Sequence, residues 1–175
     1  MLRIAYRVKQ FVSALVASVQ PMDVIVLPRY LTGAEVELFL RQDAALQQHS
    51  LRVLRILEDR GCRDVVLLEA ALLHDVGKSE GRIRLWHRVA KVLLDAVSPA
   101  LSERLGANAA AGSWRYQFYV QAHHPALGAE MIRGAGGESS VTDLIADHHT
   151  LVGETERRGL DAERLISLQR ADKTA

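Results

Sequence analysis

Apolar side chains recur every three or four positions along most of the chain, the spacing that lines one face of an α-helix. The alternation of a half-buried strand is nearly absent, the run Val24-Ile25-Val26-Leu27 being a brief exception. The pattern predicts an all-α fold. Thr32 followed by Glu35 has the form of a capping box and opens a long helix that runs to about Arg60 and stops at Gly61. Asp64 caps the next, which passes through Val65, Val66, Leu67, Leu68, Ala71 and Leu72 and ends near a turn at Gly77. A basic amphipathic stretch covers Arg82 to Val97 and is halted by Ser98-Pro99, while the Ala- and Gly-rich segment Leu105 to Ser113 reads as a loop. Further helices are predicted at about Trp114 to Ala122, Pro125 to Arg133, Ser140 to His149 and Asp161 to Lys173, with the Gly134 to Gly137 cluster separating two of them.

A length of 175 residues fits one domain with a sizeable core, divided as an N-terminal helix and linker over 1–31 and the domain proper over 32–175. The 22 basic and 21 acidic residues leave a formal charge of +1, so no global field draws nucleic acid or anionic lipid, and any anion must be recognised locally. The single cysteine, Cys62, has no partner for an internal disulfide and suits a reducing cytoplasm. Arg3, Arg7 and Lys9 precede the apolar run Phe11 to Val19, the order of an export signal, but the run is interrupted by Ser13 and Ser18 and no small-x-small cleavage site precedes Gln20-Pro21. It is too short to span a bilayer. The expectation is a packing or peripheral helix, no transmembrane segment, and a cytoplasmic protein.

Several ionisable residues occupy positions where a helix should bury carbon. His49 lies three residues after Leu46 and four before Val53; His74 and Asp75 follow Ala70, Ala71 and Leu72 by a turn; His148 and His149 follow Leu144 and Ile145; and Asp172 sits four residues after Leu168. A single inward histidine is ordinarily a core residue satisfied by a backbone carbonyl. A group of them with two carboxylates is different, because a buried charge is costly unless a counter-charge is shared, and apart from Lys78 no inward Lys or Arg supplies one. Metal cations answer the requirement. Imidazole and carboxylate donors without thiolate point to manganese, iron, magnesium, cobalt, nickel or zinc.

The ordered set His49, His74-Asp75-Val76-Gly77-Lys78, His124-Pro125, His148-His149 and Asp172, spanning residues 49 to 172, resembles the HD superfamily of metal-dependent phosphohydrolases. The resemblance implies a single HD-type helical bundle and two divalent metal ions bridged by Asp75. It implies that His49, His74, Asp75 and Asp172 serve one ion and that Asp75, His124, His148 and His149 serve the other. His124 is preferred to His123 because the family pattern sets the ligand directly before proline. Lys78, in the extended HDxGK form, is expected to bind a phosphate oxygen or the leaving group, so that Asp75 and Lys78 carry the catalytic role. Ala45, four residues before His49, stands where some trinuclear relatives carry Glu, which favours two metals over three.

The match also departs from two branches. After His149 the chain reads Thr150-Leu151-Val152-Gly153-Glu154, without the GYP stretch of the cyclic-di-GMP phosphodiesterases, and Lys78-Ser79 stands where the alarmone hydrolases have Glu-Asp. The expected activity is hydrolysis of a phosphate ester of a nucleotide or another small phosphorylated metabolite. The alternatives are a mixed-valence di-iron oxygenase and a regulatory binding module. Between His74-Asp75 and His124, the stretch with Arg82, Arg84, Trp86 and Arg88 could hold substrate, the arginines on phosphate and Trp86 on a base. Equally, Leu85, Val89, Val92 and Leu93 form an apolar stripe that leaves those cations facing water. Phe118 and Tyr119 carry the same two readings.

Overall fold

Helix follows helix through the described chain. The computed structural model describes residues 24–81, 87, 93–94, 97–151, 154 and 161–175. Among these, seven α-helices form and no strand: α1 (Gly33–Leu40), α2 (Ala44–Asp59), α3 (Val65–Leu73), α4 (Pro99–Ala107), α5 (Tyr116–Gly134), α6 (Ser139–Asp147) and α7 (Ala162–Thr174). Short 3₁₀ helices lie at Leu27–Arg29 and Val76–Glu80. The fold is the all-α bundle that the apolar spacing predicts. The N-terminal helix, and Arg82, Arg84, Trp86 and Arg88 of the basic stretch, lie outside the described residues.

Local chemistry sets the helix ends. Glu35 Oε2 accepts from the Thr32 backbone N–H at 2.8 Å while Thr32 Oγ1 accepts from the Glu35 N–H at 3.4 Å, so the predicted capping box forms. Asp64 caps α3 by accepting from the Leu67 N–H. Gly61 and Gly136 adopt φ of 81° and 85°, and the next residues, Cys62 and Gly137, donate back to the carbonyls of Leu57 and Ile132, which closes α2 and α5 with Schellman turns.

The predicted helix boundaries are corrected in three places. The long helix to Arg60 is two helices, because Asp43 Oδ1 accepts from the Leu46 N–H at 2.9 Å and caps α2 afresh after a break at residues 41–43. Leu105 to Ala107, expected in a loop, are the last turn of α4, which begins at Pro99 and packs with Gly106 against the Phe118 backbone and Ala122 of α5. The helices expected on either side of His124 are one, α5, with Pro125 inside it. The apolar run at 24–27 gives a turn and the start of a 3₁₀ helix, with Leu27 and Leu31 buried in the core.

At the centre lies α3. Leu67, Leu68, Ala70, Ala71, Leu72 and Leu73 are all buried, and α2, α6 and α7 pack around it. Each fully buried leucine there stabilises the fold by about 1.5–3 kcal/mol. The Val76–Glu80 turn that follows is seated on α5. A Cβ at Gly77 would lie 2.1 Å from the His124 carbonyl oxygen and 2.6 Å from the Gly128 nitrogen, so the turn can approach this closely only because residue 77 has no side chain. Both obstacles are backbone atoms and cannot rotate away. Gly77→Ala is therefore expected to destabilise the protein by about 1–3 kcal/mol or more, as overpacking does, seen as a lower urea midpoint. Gly33→Ala, with nothing within 4 Å of the added carbon, should change stability by no more than about 0.5 kcal/mol.

Candidate metal centre

The end of α3 carries polar groups into the interior. Ala70 and Ala71 are fully buried, and the residues one turn later, His74 at 1% exposure and Asp75 at 3%, are held in the same core. Around them converge His49 from α2, His124 from α5, His148 and His149 from the end of α6, and Asp172 from α7. All seven residues of the predicted ligand set thus lie together.

Two groups flank Asp75. In one, ligand atoms of His49, His74 and Asp172 lie within 4.8 Å of one another; in the other, those of His124, His148 and His149 do. Asp75 directs Oδ2 toward His74 Nε2 at 3.7 Å, and Oδ1 toward His124 Nε2 at 3.3 Å and His148 Nε2 at 3.9 Å. One carboxylate oxygen therefore serves each side. His49 Nε2 meets Asp172 Oδ1 at 2.8 Å, and His149 Nε2 meets His124 Nε2 at 3.3 Å.

The donor chemistry fits divalent transition metals. His74, His124 and His148 donate Nδ1–H to the carbonyls of Ala71, Gln121 and Ile145 at 3.0, 2.9 and 2.7 Å, which makes Nε2 the lone-pair nitrogen in the neutral form of each ring. Nε2 of His74 and of His148 are buried with no hydrogen-bond partner. A nitrogen lone pair stranded in this way is costly unless a cation or proton meets it.

Charge is arranged to the same end. Burial pushes the Asp75 carboxyl up, but Lys78, His74 and His124 outweigh it and hold the group well below its ordinary value. Asp172 is likewise driven up by burial and brought far down by hydrogen bonds and charge from His49 and His74. Burial lowers the His148 pKa well below the ordinary value, reinforced by His74, His149 and His124, and lowers that of His124, with Lys78 adding to the effect. Partial burial, His124 and Lys78 bring His149 to about 4. His74 moves the other way: burial opposes its charged form, but Asp75 and Asp172 raise its pKa.

Lys78 Nζ donates to Asp75 Oδ2 at 2.6 Å, so the residue expected at a phosphate is here the direct counter-charge of the central carboxylate. His123, the alternative to His124, lies apart and bonds the Gly106 carbonyl at 3.1 Å. Phe118 is buried, with His87 and Trp114 edge-on to it, and Tyr119 packs on Tyr116 and His123. Gln169 escapes a reading of the sequence. Its Nε2 donates to the carbonyls of His148 and Thr150 at 3.1 and 2.8 Å, which ties the histidine pair at the end of α6 to α7. Only its position, three residues before Asp172, hints at this.

These shifts set a pH dependence for the metal-free protein. The unfolded chain protonates His124, His148 and His149 near pH 6.5, but the folded protein does so only at lower pH, at about 4 for His149, so the unfolded state binds more protons in between and these groups lower stability as the pH is lowered through that range. His74, with a raised pKa, adds stability that is lost only as pH rises above 6.5, and the depressed carboxyls lose theirs only below about 3.9. Glu69, raised to about 8 by burial and Glu35, opposes this fall above about pH 4.5, so the expected outcome is a difference: between pH 6.5 and 4 the urea midpoint of His149→Gln should lose less than that of the wild type.

A family model described as HD domain matches residues 46–175. No curated protein and no solved structure matches the chain. The match covers most of the sequence and takes in every residue of the convergent set, so the chain belongs to the HD domain family, whose members are largely metal-dependent hydrolases that bind divalent metals.

Proposed function

We propose that this domain hydrolyses phosphate esters with two divalent metal ions, held by His49, His74, Asp75 and Asp172 on one side and by Asp75, His124, His148 and His149 on the other. The observation that carries the reading is Asp75, a buried carboxylate with one oxygen toward each group of ligand atoms. Bound there, two cations supply a water acidic enough to ionise near neutrality and positive charge for the phosphoryl oxygens.

The chain's own residues do the rest. The carbonyls of Ala71, Gln121 and Ile145 hold three imidazoles as neutral donors, and the exclusion of water around His74 and His148 strengthens every charge interaction inside. Lys78, about a quarter exposed, holds Asp75 until a phosphate oxygen competes for its ammonium group, which then orients the ester. Arg82, Arg84, Trp86 and Arg88 follow this lysine closely in sequence, and their composition suits a nucleotide, which we take as the substrate class. Residues 32–175 form the functional domain in this reading. No helix among the described residues is long and apolar enough to cross a membrane, and the free thiol of Cys62 suits the cytoplasm.

Elemental analysis after loading with manganese should find about two ions per chain, and a screen over nucleotides and phosphodiesters should find hydrolysis. A loaded protein without metal would end the proposal, and turnover confined to iron-loaded protein with oxygen would reassign the reaction to the oxygenase class. Asp75→Asn preserves shape but removes the shared negative charge; both ions should bind more weakly and hydrolysis should vanish. Lys78→Ala should retain both metals while turnover falls by about 10²–10³, the cost of losing one donor to a developing charge. Loss of metal with turnover would assign the lysine to the site's architecture instead.

A further inference from the structure

Three of the buried imidazoles are fixed by one device. Each donates Nδ1–H to the carbonyl three residues earlier: His74 to Ala71, His124 to Gln121 and His148 to Ile145. Within an α-helix that carbonyl normally belongs to someone else, because the backbone N–H of the residue after the histidine lies four positions on and takes it. For His74 and His148 the conflict is removed by the end of the helix. α3 stops at Leu73 and α6 at Asp147, so Ala71 and Ile145 are in the last turn, where carbonyls lack intrahelical partners.

His124 has no such freedom. It sits in the middle of α5, which continues to Gly134. The competing N–H would come from residue 125, and residue 125 is proline, which has none. We propose that Pro125 is a positioning residue: by withholding the amide hydrogen that would take the Gln121 carbonyl, it reserves that oxygen for Nδ1–H of His124 and so keeps Nε2 as the lone-pair nitrogen facing Asp75. The proposal rests on the reading of His124 as a metal ligand. A proline creates in mid-helix the vacant carbonyl that the other two histidines obtain from a helix terminus.

The device matters because the ring has a second acceptor within reach. His124 Nε2 lies 3.3 Å from Asp75 Oδ1, a longer contact than the 2.9 Å to the Gln121 carbonyl. If the carbonyl also accepted a backbone N–H, its hold on Nδ1–H would weaken and the tautomer balance would shift toward an Nε2–H that points at Asp75, blocking the nitrogen that a metal needs. A merely tolerated proline predicts no such change.

The test compares the whole chain with Pro125→Ala and with a third protein in which lactic acid replaces residue 125, giving alanine's methyl group but no N–H. In metal-free wild type, nitrogen-15 NMR of the imidazoles should show His124 as the Nδ1–H tautomer. Pro125→Ala should shift it toward Nε2–H, raise the zinc dissociation constant of one site by about 10–100-fold, and leave the melting temperature unchanged or higher. The lactic acid protein should regain the wild-type tautomer and zinc affinity. An Nδ1–H tautomer retained in Pro125→Ala, an Nε2–H tautomer in wild type, or failure of the lactic acid protein to recover overturns the proposal. If Pro125→Ala does not fold, Pro125→Ser, which also restores the N–H, takes its place in the same comparison, with the same outcomes expected and excluded. Wild-type protein that binds no zinc refutes the ligand assignment instead, while the metal-free tautomers continue to test the role of Pro125.

Discussion

A carboxylate buried to 3% exposure has to be met by positive charge or by donors, and the need to meet it at Asp75 shapes everything nearby. An unpaired charge at that depth costs several kcal/mol. Lys78 answers part of it from three residues away, across the 3₁₀ turn that follows α3 and brings the ammonium group back over the carboxylate. That turn in turn requires a close seat on α5, and the seat requires Gly77. The imidazoles of His74, His124 and His148 complete the surround at 3.3–3.9 Å, and His74 and His124 join Lys78 in lowering the carboxyl's pKa.

The scaffold supplies directed backbone carbonyls as much as side chains. Helix termini are usually a liability, since their last carbonyls lack partners. Here α3 and α6 end inside the protein, and the liability becomes the means of orienting His74 and His148. Gln169 covers two more carbonyls in the same region, those of His148 and Thr150, so that the end of α6 is satisfied from α7, the helix that also carries Asp172. A helix whose polar residues look unrelated in sequence thus serves both sides of the centre.

What the sequence made legible follows from how local each cause is. Capping by Thr32 and Asp64 depends on residues three positions apart, and both caps form as read. The inward direction of His49, His74, Asp75, His148 and Asp172 depends on helical period alone, and all of them converge. The break at residues 41–43 was equally local, but the apolar spacing on either side hides it: Asp43 competes as a cap without disturbing the period. The continuity of α5 through Pro125 could not be read locally. A proline inside a helix costs about 3 kcal/mol or more, and only the contacts of Gly77 and the ring of His124 with that stretch of backbone, both set by tertiary packing, show how it is accommodated. Gln169 was illegible for a like reason, because its partners are main-chain atoms about twenty residues away.

The residues of the centre also differ in how completely the protein satisfies them. His49 and Asp172 bond each other at 2.8 Å, and their side chains remain partly accessible, so that pair has water and an internal ion pair to fall back on. Nε2 of His74 and Nε2 of His148, one in each group, are buried without a hydrogen-bond partner, the carboxylate oxygens of Asp75 lying 3.7 and 3.9 Å away. Each is an acceptor stripped of water, with a cost of about 1–3 kcal/mol, and protonation is a poor remedy at His148, where burial and three neighbouring imidazoles oppose a further charge. Divalent cations, one at each group, would relieve both and would balance Asp75 and Asp172 as well. Since the unfolded chain holds no such constellation, the free energy of that binding adds to the stability of the fold. The polar atoms that make this core hard to bury are therefore the same ones that would couple folding to a metal.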